Sequence, residues 1–95
     1  MGLSFEWDEQ KAQENLSKHA VSFEECSTIF GDPSSLTIGD AVHSTEEDRL
    51  ITIGLSNRGR ILVVVHTERE DNIRIISTRL ATPRERRAYG EATRG

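Results

Sequence analysis

Three stretches in the second half of the chain limit its fold more than any other feature. They cover residues 49–56, 60–67 and 72–80, are rich in aliphatic residues, and are separated by short polar turns. Runs of this length and composition are typical of β-strands, and short turns join neighbouring antiparallel strands. The pattern therefore predicts a three-stranded antiparallel meander.

The first turn predicts the register of this meander. If Asn57-Arg58-Gly59 forms a three-residue turn with Gly59 left-handed, three aliphatic pairs form: Leu55 with Ile61, Ile53 with Val63, and Ile51 with Val65. We expect these six side chains to form the core beneath the helices. The opposite face would be an open, shallow trough carrying Thr52, Gly54, Arg60, Leu62, Val64 and His66.

The second turn, from Glu68 to Asp71, extends the same argument. A loop of two or four residues keeps the alternation in phase. Ser77 and Arg79 then join the open face, while Ile76, Thr78 and Leu80 point into the core.

Capping signals predict the helices. Asp8 can cap a helix over residues 9–19 in which Ala12 and Leu16 form a thin apolar stripe. Two capping boxes start later helices, Ser22 with Glu25 and Thr82 with Glu85, and the second of these has Pro83 at its first position. A short strand is predicted around Leu3, Phe5 and Trp7, another at residues 36–38, an acidic loop from Gly39 to Asp48, and a frayed tail after Tyr89.

These elements predict a single α+β domain over residues 1–95. The sheet is expected to be antiparallel, with two N-terminal helices packed on one face and a C-terminal helix. The single Cys26 excludes an intramolecular disulfide and fits a reducing compartment. No apolar run approaches the roughly 20 residues that span a bilayer, and the start lacks a signal-peptide pattern, so we expect a cytosolic protein.

The sequence contains no cofactor motif. A nucleotide-binding glycine loop, a nucleophile elbow and metal-ligand spacing are all missing, so neither a cofactor nor a metal is expected. A metalloenzyme built on His19, His43 and His66 is disfavoured, because no two of them lie at ligand spacing.

Charge is divided unevenly along the chain. Residues 1–48 hold eleven acidic and two basic residues, net −9, whereas residues 49–95 hold ten arginines and five acidic residues, net +5. Arginine offers a rigid fork of donors suited to phosphate. The second half therefore indicates a phosphate-bearing ligand, although a compositional bias toward arginine gives the same pattern.

The predicted open face carries the residues that RNA cleavage needs. His66 can act as an acid or base near neutral pH, and Arg79 and Arg74 can hold phosphate oxygens. A hydrogen-bonded structural histidine and salt-bridged strand arginines are the alternatives. Lys18 and His19 end the first helix, where they either complement the helix dipole or reach a phosphate. Trp7 and Tyr89 are candidates for core packing or for stacking on bases.

Three sequence blocks, FEWDEQKAQENLSKHAVSFEECSTIFGDP, RLITIGLSNRGRILVVVHTE and RIISTRLATPRERRAY, resemble the BrnT family of bacterial type II toxins. The resemblance runs from Phe5 to Tyr89. It implies a RelE-like fold and a metal-independent ribonuclease that inhibits translation. It also implies a partner, a BrnA-like antitoxin of the ribbon-helix-helix type, which binds operator DNA and forms a heterotetramer with the toxin.

The resemblance also implies site residues. Its Lys-His pair corresponds to Lys18 and His19, its His-Thr pair to His66 and Thr67, and its RIISAR-like strand to Arg74, Ser77 and Arg79. Ala20 departs from the family, which usually has glycine there, and Leu80 replaces a common basic residue. The acidic net charge is also unusual for a nuclease toxin.

Two functional hypotheses follow. In the first, the chain is an endoribonuclease with His66, Arg74 and Arg79 as catalytic residues and with Lys18, His19, Arg58, Arg60 and Arg69 as RNA contacts. In the second, the same fold binds RNA or a partner protein without catalysis, and its acidic half docks a basic, DNA-binding partner.

Overall fold

The computed structural model describes residues 2–40 and 48–94. Its elements, in chain order, are β1 (Ser4–Glu6), α1 (Glu9–His19), α2 (Phe23–Ser27), a 3₁₀ turn (Thr28–Gly31), β2 (Leu36–Gly39), β3 (Leu50–Leu55), β4 (Ile61–Arg69), β5 (Asn72–Leu80) and α3 (Pro83–Arg94). Residues 41–47 of the expected acidic loop lie outside the described residues. Among the described helices, none is both long and apolar enough to cross a membrane.

The strands form one five-stranded sheet in the order β1-β5-β4-β3-β2. The meander β3-β4-β5 and the edge strand β2 are antiparallel, as expected. β1, however, pairs with β5 in parallel, so the expectation of a wholly antiparallel sheet was wrong at that edge. The direction of β1 depends on a contact with a strand far along the chain, and no local turn specifies it.

The predicted register between β3 and β4 is confirmed. Leu55 pairs with Ile61, Ile53 with Val63, and Ile51 with Val65. Gly59 has a φ of 77°, a left-handed conformation that glycine adopts without a steric penalty.

The prediction of which face is buried was wrong. α1, α2 and the 3₁₀ turn cover the face that carries Leu62, Val64 and His66, and each of these side chains is fully buried, whereas α3 lies over part of the opposite face. This face can accept a close neighbour because Gly54 has no side chain, and a Cβ built there would lie 3.1 Å from the Cβ of Ile29. The 3₁₀ turn therefore packs on the face that was expected to be an open trough. We call this the inner face, and the opposite one, which carries Ile51, Ile53 and Val63, the outer face.

A β-bulge in β5 explains a second error. The turn between β4 and β5 is short, as expected, but the register shifts between the pairs His66–Ile75 and Val65–Ser77. Ile76 is the extra residue on β5, and beyond it the side chains alternate in the opposite phase. Arg79 and Ser77 consequently lie on the outer face rather than beside His66.

The helix starts follow their capping signals. Asp8 accepts hydrogen bonds from the first turn of α1, and Ser22 Oγ accepts one from the Glu25 amide. Thr82 and Glu85 form a complete capping box, in which each side chain accepts from the other residue's amide. α3 continues to Arg94, beyond Tyr89, where we expected fraying to begin.

Two of the aromatic side chains belong to the core. The Trp7 ring meets Phe23 edge-on at 5.9 Å, so core packing rather than base stacking accounts for it. Tyr89 is 9% exposed, and its hydroxyl donates to Asp32 Oδ2 at 2.5 Å, which ties α3 to the body of the protein.

Candidate active site

His66 lies in the interior of the protein and not on an accessible surface. Its Nε2 lies 2.7 Å from Thr52 Oγ1, which in turn lies 2.7 Å from Thr37 Oγ1. Its ring meets Phe30 edge-on at 4.9 Å. Burial lowers the pKa of His66 to about 4, an effect that the Thr67 backbone only partly opposes. The expectation that His66 faces an open site was therefore wrong, because the helices pack on the face that carries it.

Arg60 also has a structural environment. Its guanidinium binds the carboxylate of Glu25 through two donors, with Nε to Oε2 at 2.9 Å, and it donates to the carbonyl oxygen of Ala20 at 3.2 Å. Glu25 is buried and also accepts from Ser56 Oγ at 2.7 Å. The hydrogen bonds from Arg60 are the main reason that the pKa of Glu25 is lowered. Arg60 thus joins the start of β4 to α2, and its Nε and Nη2 donors are engaged within the protein.

Arg58 and Arg69 are the exposed arginines of the two turns. The Arg58 side chain is 71% exposed and lies 3.9 Å from Glu25 Oε1. Arg69 is exposed at the end of β4. Both positions are open to an RNA backbone, but no described imidazole lies beside either of them, since His19 lines the cavity at the edge of β5 and His66 is buried.

The bulge brings three residues into one row on the outer face of β5. Arg74 is paired with Thr67, Ser77 with Val65, and Arg79 with Val63, so all three side chains share a face. These are the β5 residues that the resemblance indicated. Their common face is, however, the outer one, away from His66.

Both arginines of this row have carboxylate partners. Arg74 Nη1 lies 3.2 Å from Glu6 Oε2, and both side chains are about half exposed. Arg79 donates to both oxygens of Glu85 in α3, at 2.7 and 2.9 Å. Chiefly through these bonds, the pKa of Glu85 falls to about 2. The pair of Arg79 is the tighter one, since two parallel donors meet one carboxylate.

A cavity of about 250 Å³ lies where α1 meets the edge of β5. Lys11, Glu14, Lys18 and His19 line it from α1, and Ser77 lines it from β5. Lys18 and His19 are both exposed. Ser77 thus belongs both to the arginine row and to this cavity, which places the predicted Lys-His pair next to the β5 row.

Asn15 holds α1 against β5 at this point, and the sequence analysis missed it. Its amide donates to the Thr78 carbonyl at 2.8 Å and accepts from the Thr78 amide at 3.1 Å, and it also donates to the Val21 carbonyl at 3.1 Å. The side chain thereby completes the hydrogen bonding of a strand edge that β1 does not reach. The spacing was the available sequence signal, because a residue three positions after Ala12 lies on the same face of α1. Asn15 is buried with Ala12, whereas Leu16 is exposed.

A second, wider depression of about 640 Å³ runs along α3 and is lined in part by Arg86 and Arg87. Arg86 donates to the Ala81 carbonyl at 2.8 Å. Glu91 is its only carboxylate among the lining residues that the structure describes. This surface can attract phosphate, but none of its described lining residues is a histidine.

The described residues contain no group of three or more His, Cys, Asp or Glu side chains placed to hold a metal ion. His43, which the disfavoured metal-site alternative required, lies outside those residues.

Comparison with known families decides what kind of protein this is. Residues 7–85 match the model of the family described as the ribonuclease toxin BrnT of type II toxin–antitoxin systems. The chain belongs to the BrnT family. Among solved structures, it is similar to the crystal structure of the Brucella abortus ribonuclease toxin BrnT. The two share 28% identity with a TM-score of 0.64, over 84% of this chain and 97% of that one. No curated protein sequence matches the chain.

Membership in the BrnT family confirms the resemblance and the toxin class. It also implies an antitoxin partner, since the family belongs to type II toxin–antitoxin systems. The shared fold extends over most of both chains, so the mixed α+β architecture described above is that of a solved BrnT toxin.

Proposed function

We propose that this BrnT family member cleaves RNA without a metal ion and thereby inhibits translation. In this reaction the ribose 2′-oxygen attacks the adjacent phosphorus and displaces the 5′-oxygen. The family match over residues 7–85 is the observation that carries the proposal. The row of Arg74, Ser77 and Arg79 beside a cationic cavity supports it, because cations stabilise the charge that develops on phosphate.

The RNA backbone is proposed to follow the edge of β5. Lys18 and His19 contact phosphate from α1, and Arg74 contacts it from the outer face. The exposed pair of Arg74 with Glu6 is of the kind worth only about 0–1 kcal/mol, so phosphate can replace the carboxylate at little cost. Arg79 adds to this surface when it separates from Glu85, while Arg58 and Arg69 act as outlying contacts.

The structure changes the roles proposed for two residues. His66 is enclosed in the core and Arg60 is engaged by Glu25, so we assign both to the stability of the fold. Arg74 and Arg79 remain the candidates for stabilising the transition state.

A DNA-binding antitoxin is the proposed regulator. Residues 1–48 carry a net charge of −9, which complements a basic partner. We expect a BrnA-like ribbon-helix-helix protein that covers the toxin in a cytosolic heterotetramer and binds operator DNA on its behalf. Co-expression of the toxin with the neighbouring small reading frame, followed by purification and mass measurement of the complex, tests this assignment.

Cleavage of purified RNA tests the catalytic proposal. The toxin is incubated with mixed-sequence RNA in excess EDTA, with and without antitoxin, and the product ends are analysed. We expect fragments with 2′,3′-cyclic phosphate and 5′-hydroxyl ends, and we expect the antitoxin to suppress them. Arg74→Ala should reduce cleavage, whereas Arg84→Ala, which removes an exposed cation of α3, should not.

Binding to an uncleavable 2′-O-methyl RNA separates affinity from catalysis. If Lys18 contacts one phosphate, Lys18→Ala should lower the slope of log affinity against log salt by about 0.7. RNA binding without cleavage under any of these conditions would contradict the ribonuclease proposal and favour the binding module. An equal loss of affinity in Arg87→Ala alone would move the RNA surface to α3.

A further inference from the structure

Cleavage by the 2′-oxygen requires a group that removes the 2′-hydroxyl proton, and this inference rests on the ribonuclease proposed above. Imidazole is the side chain best suited to this transfer near neutral pH. The described residues contain two histidines, His19 and His66. The two differ completely in their access to a substrate.

His66 cannot touch RNA in this structure. Its side chain is fully buried, and its Nε2 is engaged with Thr52 Oγ1 at 2.7 Å. The nearest carboxylate oxygen to its Nδ1, on Glu68, is 3.9 Å away. A substrate would reach the ring only if the helices left the inner face of the sheet.

His19 has the opposite surroundings. It is exposed in the last turn of α1 and lines the 250 Å³ cavity at the edge of β5. Lys18 and Lys11 line the same cavity and can hold a phosphate beside the imidazole. Ser77 connects the cavity to Arg74 and Arg79 on the outer face. The cavity therefore places the imidazole next to the strand that carries the two arginines.

We propose that His19 is the general base of the cleavage reaction. Its neutral imidazole nitrogen takes the proton of the ribose 2′-hydroxyl as the bond from the 2′-oxygen to phosphorus forms. The bond from phosphorus to the 5′-oxygen breaks, and that oxygen takes a proton from solvent. The products are a 2′,3′-cyclic phosphate and a 5′-hydroxyl, and the imidazolium returns its proton to water.

Two lysines and one carboxylate share the cavity with His19. Lys11, Lys18 and Glu14 are the charged groups that line it from α1, while β5 contributes only the uncharged Ile76 and Ser77. The lysines are therefore placed to hold a phosphate, and Glu14 is the second group that could accept a proton.

Glu14 is the alternative base in the same cavity. Glu14→Gln is therefore the matched comparison, since it removes a carboxylate at nearly constant size. His43 lies outside the described residues, and His43→Asn tests whether that histidine is the base instead.

The test measures cleavage of a defined RNA by the wild-type protein and by these variants, with folding checked by circular dichroism and thermal unfolding. We expect His19→Asn to lower kcat/KM by about 10²–10⁴-fold, the usual contribution of one acid–base group. Glu14→Gln and His43→Asn should stay within a few-fold of wild type. Added imidazole should partly restore cleavage by His19→Ala.

A substrate with sulfur in place of the 5′-bridging oxygen distinguishes a base from an acid. Its leaving group needs no proton, so loss of a general acid is masked while loss of a general base is not. We expect His19→Asn to remain impaired on this substrate. Recovery there, or near-normal cleavage of ordinary RNA by folded His19→Asn, would overturn the assignment, as would a loss confined to Glu14→Gln or His43→Asn. An inactive wild-type protein would instead contradict the ribonuclease proposal itself.

Discussion

The Nε2 atom of His66 lies 2.7 Å from Thr52 Oγ1, at the centre of the sheet face that the helices cover. Burial disfavours the charged imidazole and lowers the pKa of His66 to about 4 from an ordinary value of 6.5. In the unfolded chain the ring binds a proton at higher pH than in the folded protein. The stability that follows from this difference is complete above about pH 6.5 and is lost as the pH falls toward about 4.

We therefore expect the free energy of unfolding to fall by about 3 kcal/mol across this window because of His66 alone. Urea unfolding measured at a series of pH values checks the slope. His66→Gln keeps a polar partner for Thr52 and does not titrate, so its slope in this window should be flatter. An unchanged slope would show that the imidazole is not the group responsible.

The two arginines near Glu25 should differ sharply in their importance to stability. Arg60→Ala leaves a buried carboxylate without its main partner, and loss of one member of a buried pair typically costs about 3–5 kcal/mol. Because the Arg60 side chain is 30% exposed, we expect a smaller loss, about 2–3 kcal/mol. Arg58→Ala, at a side chain that is 71% exposed, should change the free energy of unfolding by less than about 0.5 kcal/mol.

Chemical denaturation of both variants checks this difference. RNA binding by Arg60→Ala, measured well below its unfolding midpoint, should match that of the wild type. A folded Arg60→Ala with normal stability and weak RNA binding would restore Arg60 to the RNA surface.

Glu85→Gln should strengthen RNA binding. The substitution removes the charge that engages Arg79 through both carboxylate oxygens, and it also weakens the capping box at the start of α3. We expect several-fold tighter binding of 2′-O-methyl RNA together with a loss of about 1 kcal/mol in stability. The control is the same substitution in an Arg79→Ala background. There Glu85→Gln should give much less gain in affinity, because there is no Arg79 to release. An equal gain would point to a general reduction of negative charge instead.

Ala20 has a φ of 58°, in the left-handed region, at the end of α1. This conformation is disfavoured for residues with a Cβ and favourable for glycine at a helix end. Ala20→Gly should therefore stabilise the protein by about 1 kcal/mol, even though glycine has greater freedom in the unfolded chain. Thermal unfolding checks the gain. The same substitution at the exposed helical residue Ala92 should destabilise, because that position lies within α3.

The caps and turns were predictable because their signals are local. Asp8, Ser22 and Thr82 each act on amides within a few residues, and Gly59 sets the turn between β3 and β4 through its own φ. The partners of Arg60 and Arg79 were not predictable in this way. Glu25 lies far from Arg60 along the chain, and Arg79 reaches Glu85 only because the bulge turns it toward α3.

The candidate site was predicted in its parts but not in its arrangement. The sequence indicated Lys18, His19, Arg74 and Arg79. It did not indicate that Lys18 and His19 share a cavity with Ser77, the neighbour of the two arginines on β5. This proximity depends on Asn15, which holds α1 at the edge of β5.

The sequence by itself determined the strands of the meander, the aliphatic pairing of β3 with β4, and the starts of the helices. The alternation of apolar side chains, the turn residues and the helix caps each depend on residues that are close together in the sequence. Only the tertiary structure decided which face of the sheet is buried and which residues meet at its edge. Both faces of β4 are apolar, so alternation alone cannot choose between them. On the buried face Gly54 leaves room for Ile29, and beyond the extra residue Ile76 the side chains of β5 alternate in the opposite phase.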